Sequence, residues 1–157
     1  RGIYMKTTIS NILNLIRQGK NDPKIRETAV EVLQSQGLSA MDYEQVFEAM
    51  LGFVRQNVMF VRDPTKEDVC FDPVHTLNLG YQDCEDHAIV LASLLESIGL
   101  PTRLVIISKH GPVWDHAYIQ AGYPPDNPAE WVALDSTIPG PAGNEVQYAK
   151  QKVFKVS

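Results

Sequence analysis

The feature that most constrains the fold is a change of hydrophobic period at residues 99–101. Before it, apolar residues recur every three or four positions; after it, they run consecutively or alternate. Upstream, Ile9, Ile12, Leu13, Leu15 and Ile16 form one helical stripe, with Gly19 as a stop. Asp22-Pro23 opens a second helix, because proline suits the first helical position. Ile25, Ala29, Val32 and Leu33 keep its period as far as Gly37. A third helix begins near Ser39, with Asp42 in capping-box spacing, and Val46, Phe47, Met50, Leu51 and Val54 make its apolar face. Val58–Val61 reads as a brief strand. Asp63 to about Asp83, with Pro64, Pro73 and Gly80, reads as a long loop, and loops of that length are usually functional or disordered. Ala88, Leu91, Ala92, Leu95 and Ile98 then predict a helix from Cys84 that Gly99 and Pro101 end. Beyond the break, Thr102–Ser108 is β-branched and apolar. Trp114–Ala121 and Trp131–Leu134 alternate around a turn over Gly122–Pro128, and Val153–Val156 makes a last strand. Helices first and antiparallel strands later imply an α+β fold, with the Cys84 helix packed on the sheet.

The 157 residues suit one domain. Apolar residues make up 44%, enough for a core that needs neither disulfide nor metal. Fourteen basic against nineteen acidic residues give a net charge of −5. The basic residues nearest to a cluster are Lys150, Lys152 and Lys155, so a nucleic-acid partner is excluded. The longest apolar run, Ala88–Ala92, falls far short of the ~18 residues that cross a bilayer. Arg1–Lys6 has no apolar signal region behind it. The expectation is a cytoplasmic protein with no membrane partner. Two cysteines, Cys70 and Cys84, fit a reducing compartment.

Cys84 follows a glycine-containing turn and starts the predicted helix, where unpaired N–H groups and the dipole favour thiolate. Asp83, Glu85 and Asp86 crowd it, so a reactive Cys84 requires a nearby cation. His116, on the strand around Trp114-Asp115-His116, is the candidate. Asp135, ending the strand Trp131–Leu134, could accept the ring hydrogen and fix the imidazole. Read alone, Asp135-Ser136-Thr137 is an Asx-type turn. For the oxyanion, the Cys84 backbone N–H is one donor, and Asn78 or Gln82 supplies the other. Tyr81, Trp114 and Tyr118 are candidates for lining a substrate cleft.

Gly80-Tyr-Gln-Asp83-Cys84-Glu85-Asp86 resembles the G-x-x-D-C-[DE]-D segment of the transglutaminase-like superfamily, which opens that superfamily's active-site helix. His116-Ala117-Tyr118 resembles its H-A-[WY] strand, and Trp131-Val-Ala-Leu-Asp135-Ser-Thr137 its W-x-x-L-D-[PS]-T strand. The resemblance covers about residues 42–138, leaving residues 1–40 as a helical extension of a single domain over 1–157. It implies a papain-like α+β fold with Cys84 as nucleophile, His116 as base and Asp135 as orienting acid. It also implies acyl transfer through a thioester on peptide or protein substrates, with no cofactor. Small stand-alone versions are similar to bacterial and bacteriophage proteins, many of them cysteine peptidases.

Other readings stay open. The fold could serve as a catalytically silent binding module, with an assembly partner on the N-terminal helices. Cys70, His75, Cys84 and His87 could hold structural zinc, which would silence Cys84. His87 could replace His116 as base, or simply pack. Asp83, Glu85 and Asp86 could take calcium, although a solvated helix start is their default.

Overall fold

The computed structural model describes residues 5–61 and 70–156. Five helices precede or interleave with two short strands: α1 (Met5–Lys20), α2 (Pro23–Ser35), α3 (Tyr43–Asn57), β1 (Met59–Phe60), α4 (Pro73–Leu79), β2 (Tyr81–Gln82) and α5 (Cys84–Ser97). Four long strands follow: β3 (Thr102–Ser108), β4 (His116–Tyr123), β5 (Glu130–Leu134) and β6 (Lys150–Lys155). The long strands form one antiparallel sheet in the order β5-β4-β3-β6, while β1 and β2 pair in parallel. The architecture is the α+β class expected from the change of period.

Helix α5 is the centre of the molecule. Every residue in it except Cys84 and Glu96 is buried. A helix apolar all round must be enclosed on all sides. Here α1, α2, α3 and α4 cover one side, and β3 and β4 cover the other. Leu104, Ile106, Ala117, Ile119, Ala121 and Leu134 face the helices, whereas Val105, Ile107, Tyr118 and Ala133 form a smaller cluster on the opposite face of the sheet. The apolar stripes of α1 and α2 (Ile12, Ile16, Ile25, Ala29) are taken up by the chain's own core, with Ile9, Leu13 and Leu15 partly buried against it. At the other end of the sheet, β6 forms an outer rim carrying Lys150, Lys152 and Lys155. Among the described residues, no helix is long and apolar enough to cross a membrane.

Several local expectations are corrected. Gly19 does not stop α1, which continues to Lys20. It is there because the helices meet closely: a Cβ at Gly19 would lie 2.4 Å from Ser93 Oγ and 2.7 Å from Pro73 Cγ. Asp42 precedes α3 rather than lying within it, and its carboxylate accepts from the Ser39 N–H at 2.8 Å. The long loop is not structureless. Asp72 accepts from the His75 N–H at 2.9 Å, Pro73 takes the first helical position, and Gly80 ends α4 at φ 81°. The remainder of that expected loop, residues 63–69, lies outside the described residues. The strand expected from Trp114 begins instead at His116, and the last strand begins at Lys150 rather than Val153.

The Gly19 contact yields a test. Gly19→Ala improves helix propensity by ~1 kcal/mol, but the added methyl meets Pro73 and the buried Ser93. Net destabilisation of about 1–3 kcal/mol is expected from overpacking, read as a lower urea midpoint at unchanged slope.

Candidate active site

The site forms where the N-terminus of α5 reaches the end of the large sheet. Asp83 caps α5, its side chain accepting from the Asp86 N–H at 3.3 Å. That cap fixes Cys84 as the first helical residue, with its backbone N–H outside the helical hydrogen-bond ladder. The Cys84 side chain is half-buried. Its sulfur lies 4.0 Å from Glu85 Oε1 and receives the backbone N–H of Ala117 on β4.

Register explains the rest. Ile119 pairs with Leu134, and both face the helices. His116 is the first residue of β4 and Asp135 follows the last residue of β5, so the two meet at one end of the sheet. There His116 Nε2 meets Asp135 Oδ2 at 2.6 Å, with the two residues only 5% and 3% exposed. The other Asp135 oxygen accepts from Thr137 N–H at 3.0 Å and Thr137 Oγ1 at 2.7 Å. Asp135 is therefore an Asx turn and a histidine partner at once. Burial alone would raise its pKa. The bond and charge of His116 and the two Thr137 bonds outweigh burial and hold it below the usual carboxylate range.

The structure thus joins two of the three expected groups by a hydrogen bond and brings the third to the adjoining backbone. Among the described residues, no hydrogen bond links the Cys84 sulfur to the His116 ring. Nor does the helix start decide the charge on sulfur. Burial, followed by the Glu85 and Asp83 carboxylates, pushes the Cys84 thiol up, and the Ala117 N–H only partly opposes them. Cys70 is pushed up as well, by burial first and then by Glu85, whose Oε2 lies 3.8 Å from the Cys70 sulfur.

The acidic residues around Cys84 are not a solvated helix start. Asp83, Glu85 and Asp86 are 6%, 1% and 0% exposed. Asp86 Oδ1 accepts from the Phe71 N–H at 2.7 Å and ties the segment before α4 to α5. Among the described residues, no three His, Cys, Asp or Glu side chains gather as a metal group. The four zinc candidates are dispersed: His75 stacks on Phe71 with ring centroids 4.7 Å apart, and His87 Nδ1 bonds Ser136 Oγ at 2.7 Å.

The flanking candidates separate too. Asn78 is exposed on α4, whereas Gln82 is half-buried on β2, two residues before Cys84. Tyr81 is 51% exposed beside the site. Trp114 carries the Lys152 ammonium 4.9 Å from its ring centroid. Tyr118 does not offer an open cleft surface, being 1% exposed with its hydroxyl donating to Glu145 Oε2 at 2.6 Å. Sequence reading missed Thr137 as the support of Asp135 and Ser136 as the partner of His87. The polar Asp-Ser-Thr run was their only signal.

Comparison with known proteins gives the family and the fold. The family model described as "Transglutaminase-like superfamily" matches residues 18–136. The chain belongs to the transglutaminase-like superfamily. A candidate protease from Parabacteroides distasonis shares the fold at a TM-score of 0.56 and 12% identity, covering 87% of this chain and 30% of that one. EGTA-treated LapG from Legionella pneumophila gives a TM-score of 0.52 at 19% identity, over 95% of this chain and 77% of that one. The chain therefore spans less than a third of the first neighbour's length. No curated protein sequence matches.

Asp86 gives a pH test. Burial first, then the charge of Asp83 and a hydrogen bond with it, push the Asp86 carboxyl up to about 9 against the opposing Phe71 N–H. A carboxyl raised on folding binds more protons in the native state, so its contribution to stability falls as pH rises from about 4 to about 9. Asp86→Asn keeps an acceptor for Phe71 and a donor towards Asp83 without titrating. Its urea midpoint is expected to vary less with pH over that window and to exceed wild type at the alkaline end.

Proposed function

We propose that the chain is a cysteine-dependent amide hydrolase or acyl-transfer enzyme acting on peptide or protein substrates. Cys84 is the nucleophile, His116 the base and Asp135 the orienting acid. The observation that carries this reading is the buried 2.6 Å bond between His116 Nε2 and Asp135, one residue from the amide that reaches the Cys84 sulfur. Asp135 engages Nε2, which leaves Nδ1 to exchange a proton.

The chemistry follows from a thiol that rests protonated. His116 takes the Cys84 proton as sulfur attacks the substrate carbonyl, then returns that proton to the leaving amine. The acyl group stays on sulfur as a thioester, and water or an amine removes it. The Cys84 N–H and the Gln82 amide stabilise the oxyanion. Gln82 is favoured over Asn78 because it stands next to the Asp83 cap and is not on an outer helix face. Tyr81 and Met59, exposed and paired across β2 and β1, offer an apolar ledge for the substrate chain three residues from the sulfur.

A second reading has its own support. The raised Cys84 thiol and the missing sulfur–imidazole bond also suit a binding module that keeps the fold without turnover.

One experiment separates them. Under the enzyme reading, Cys84→Ala abolishes release of new amines from a peptide mixture at unchanged melting temperature, and His116→Ala lowers it by at least about 10³-fold with a lowered melting temperature, because it leaves the buried Asp135 carboxylate unpaired. Iodoacetamide labels Cys84 faster than Cys70 at neutral pH. Equal labelling, with no amine released by wild type, selects the binding module.

A further inference from the structure

His87 lies one turn after Cys84 and is 2% exposed. With Cys84, Ala117, Asp135 and Ser136 it lines a crevice that has no room for a water molecule. Its Nδ1 lies 2.7 Å from Ser136 Oγ. Its Nε2 is sealed from solvent without a hydrogen-bond partner, and the Met59 backbone acts on the ring. The Phe60 ring packs edge-on against the imidazole, with centroids 6.0 Å apart. Burial keeps the ring neutral, outweighing Met59 and the nearby carboxylates.

The place of this bond in the fold gives it a role. Among the described residues, it is the one side-chain hydrogen bond between α5 and the chain that follows β5. One end sits a single turn from the Cys84 sulfur. The other end sits on the residue next to Asp135, whose two oxygens are committed to His116 and Thr137. We propose that His87 is a positioning residue which, through Ser136, sets the His116–Asp135 pair at its working distance from Cys84. The inference rests on the enzyme reading given above.

The test needs no identified substrate. Alkylation of Cys84 by iodoacetamide is followed across a pH series in the 157-residue chain, with Cys70 as internal reference. His116→Ala tests the underlying reading and is expected to slow Cys84 labelling. His87→Phe keeps the packing but loses the ring nitrogens, and Ser136→Ala loses the hydroxyl. Each is expected to slow Cys84 labelling about tenfold, below the ~100-fold that a 1 Å misplacement costs. Both should move the inflection of the pH profile in the same direction and leave Cys70 labelling unchanged. The double variant should be no slower than the slower single, because one bond is removed twice. His87→Asn, which keeps a polar group near the Nδ1 position, should recover part of the rate. Should His87→Phe fail to fold, Ser136→Ala and His87→Asn carry the same comparison. Wild-type labelling in Ser136→Ala, alongside slow labelling in His116→Ala, would overturn the positioning role and leave the enzyme reading intact. Multiplying effects in the double variant would also overturn it. Wild-type labelling in His116→Ala removes the enzyme reading first, and this inference with it.

Discussion

The enclosure of α5 governs the rest of the structure. A helix buried on every side cannot slide or rotate without opening the core, so its first residue is held in place by the packing of its last three turns. Ala88, Leu91, Ala92 and Leu95, which look like ordinary core residues, thereby aim a sulfur atom at the end of a sheet. Four helices on one side and two strands on the other are the means of doing so. Removing any of them would loosen the site before it touched a reactive atom.

Charge is arranged around that helix start in an unusual way. Three carboxylates are buried beside Cys84, and each is engaged differently. Asp83 caps the helix, Asp86 holds a proton and a backbone amide, and Glu85 faces both thiols. Burial first, and then the Glu85 and Asp83 charges, keeps sulfur in its neutral form against the pull of the helix dipole. At Asp135 the balance runs the other way. Hydrogen bonds from His116 and Thr137 overcome burial and keep Asp135 ionised.

Much of this was legible in the chain. The period change located the sheet, and Thr102–Ser108 matched a strand from end to end because buried β-branched runs have few alternatives. Asp22-Pro23 marked a helix start correctly, yet the same pair at Asp72-Pro73 went unread because the prolines and glycine around it suggested a loop. Gly19 misled for a different reason. A glycine required by another helix looks, in one dimension, like a glycine required by a chain end. The acids around Cys84 could not be placed from sequence, since their burial depends on Phe71 and Cys70, which return from the preceding segment. The double role of Asp135 was visible only as a choice between turn and partner, because sequence does not show that two oxygens can serve both.

The lysines of β6 have a consequence at the scale of many molecules. A rim strand offers unpaired backbone groups that a second copy could zip onto. Sheet growth across this rim would bring Lys150, Lys152 and Lys155 against their own counterparts. Mutual repulsion of like ammonium groups disfavours pairing along that side.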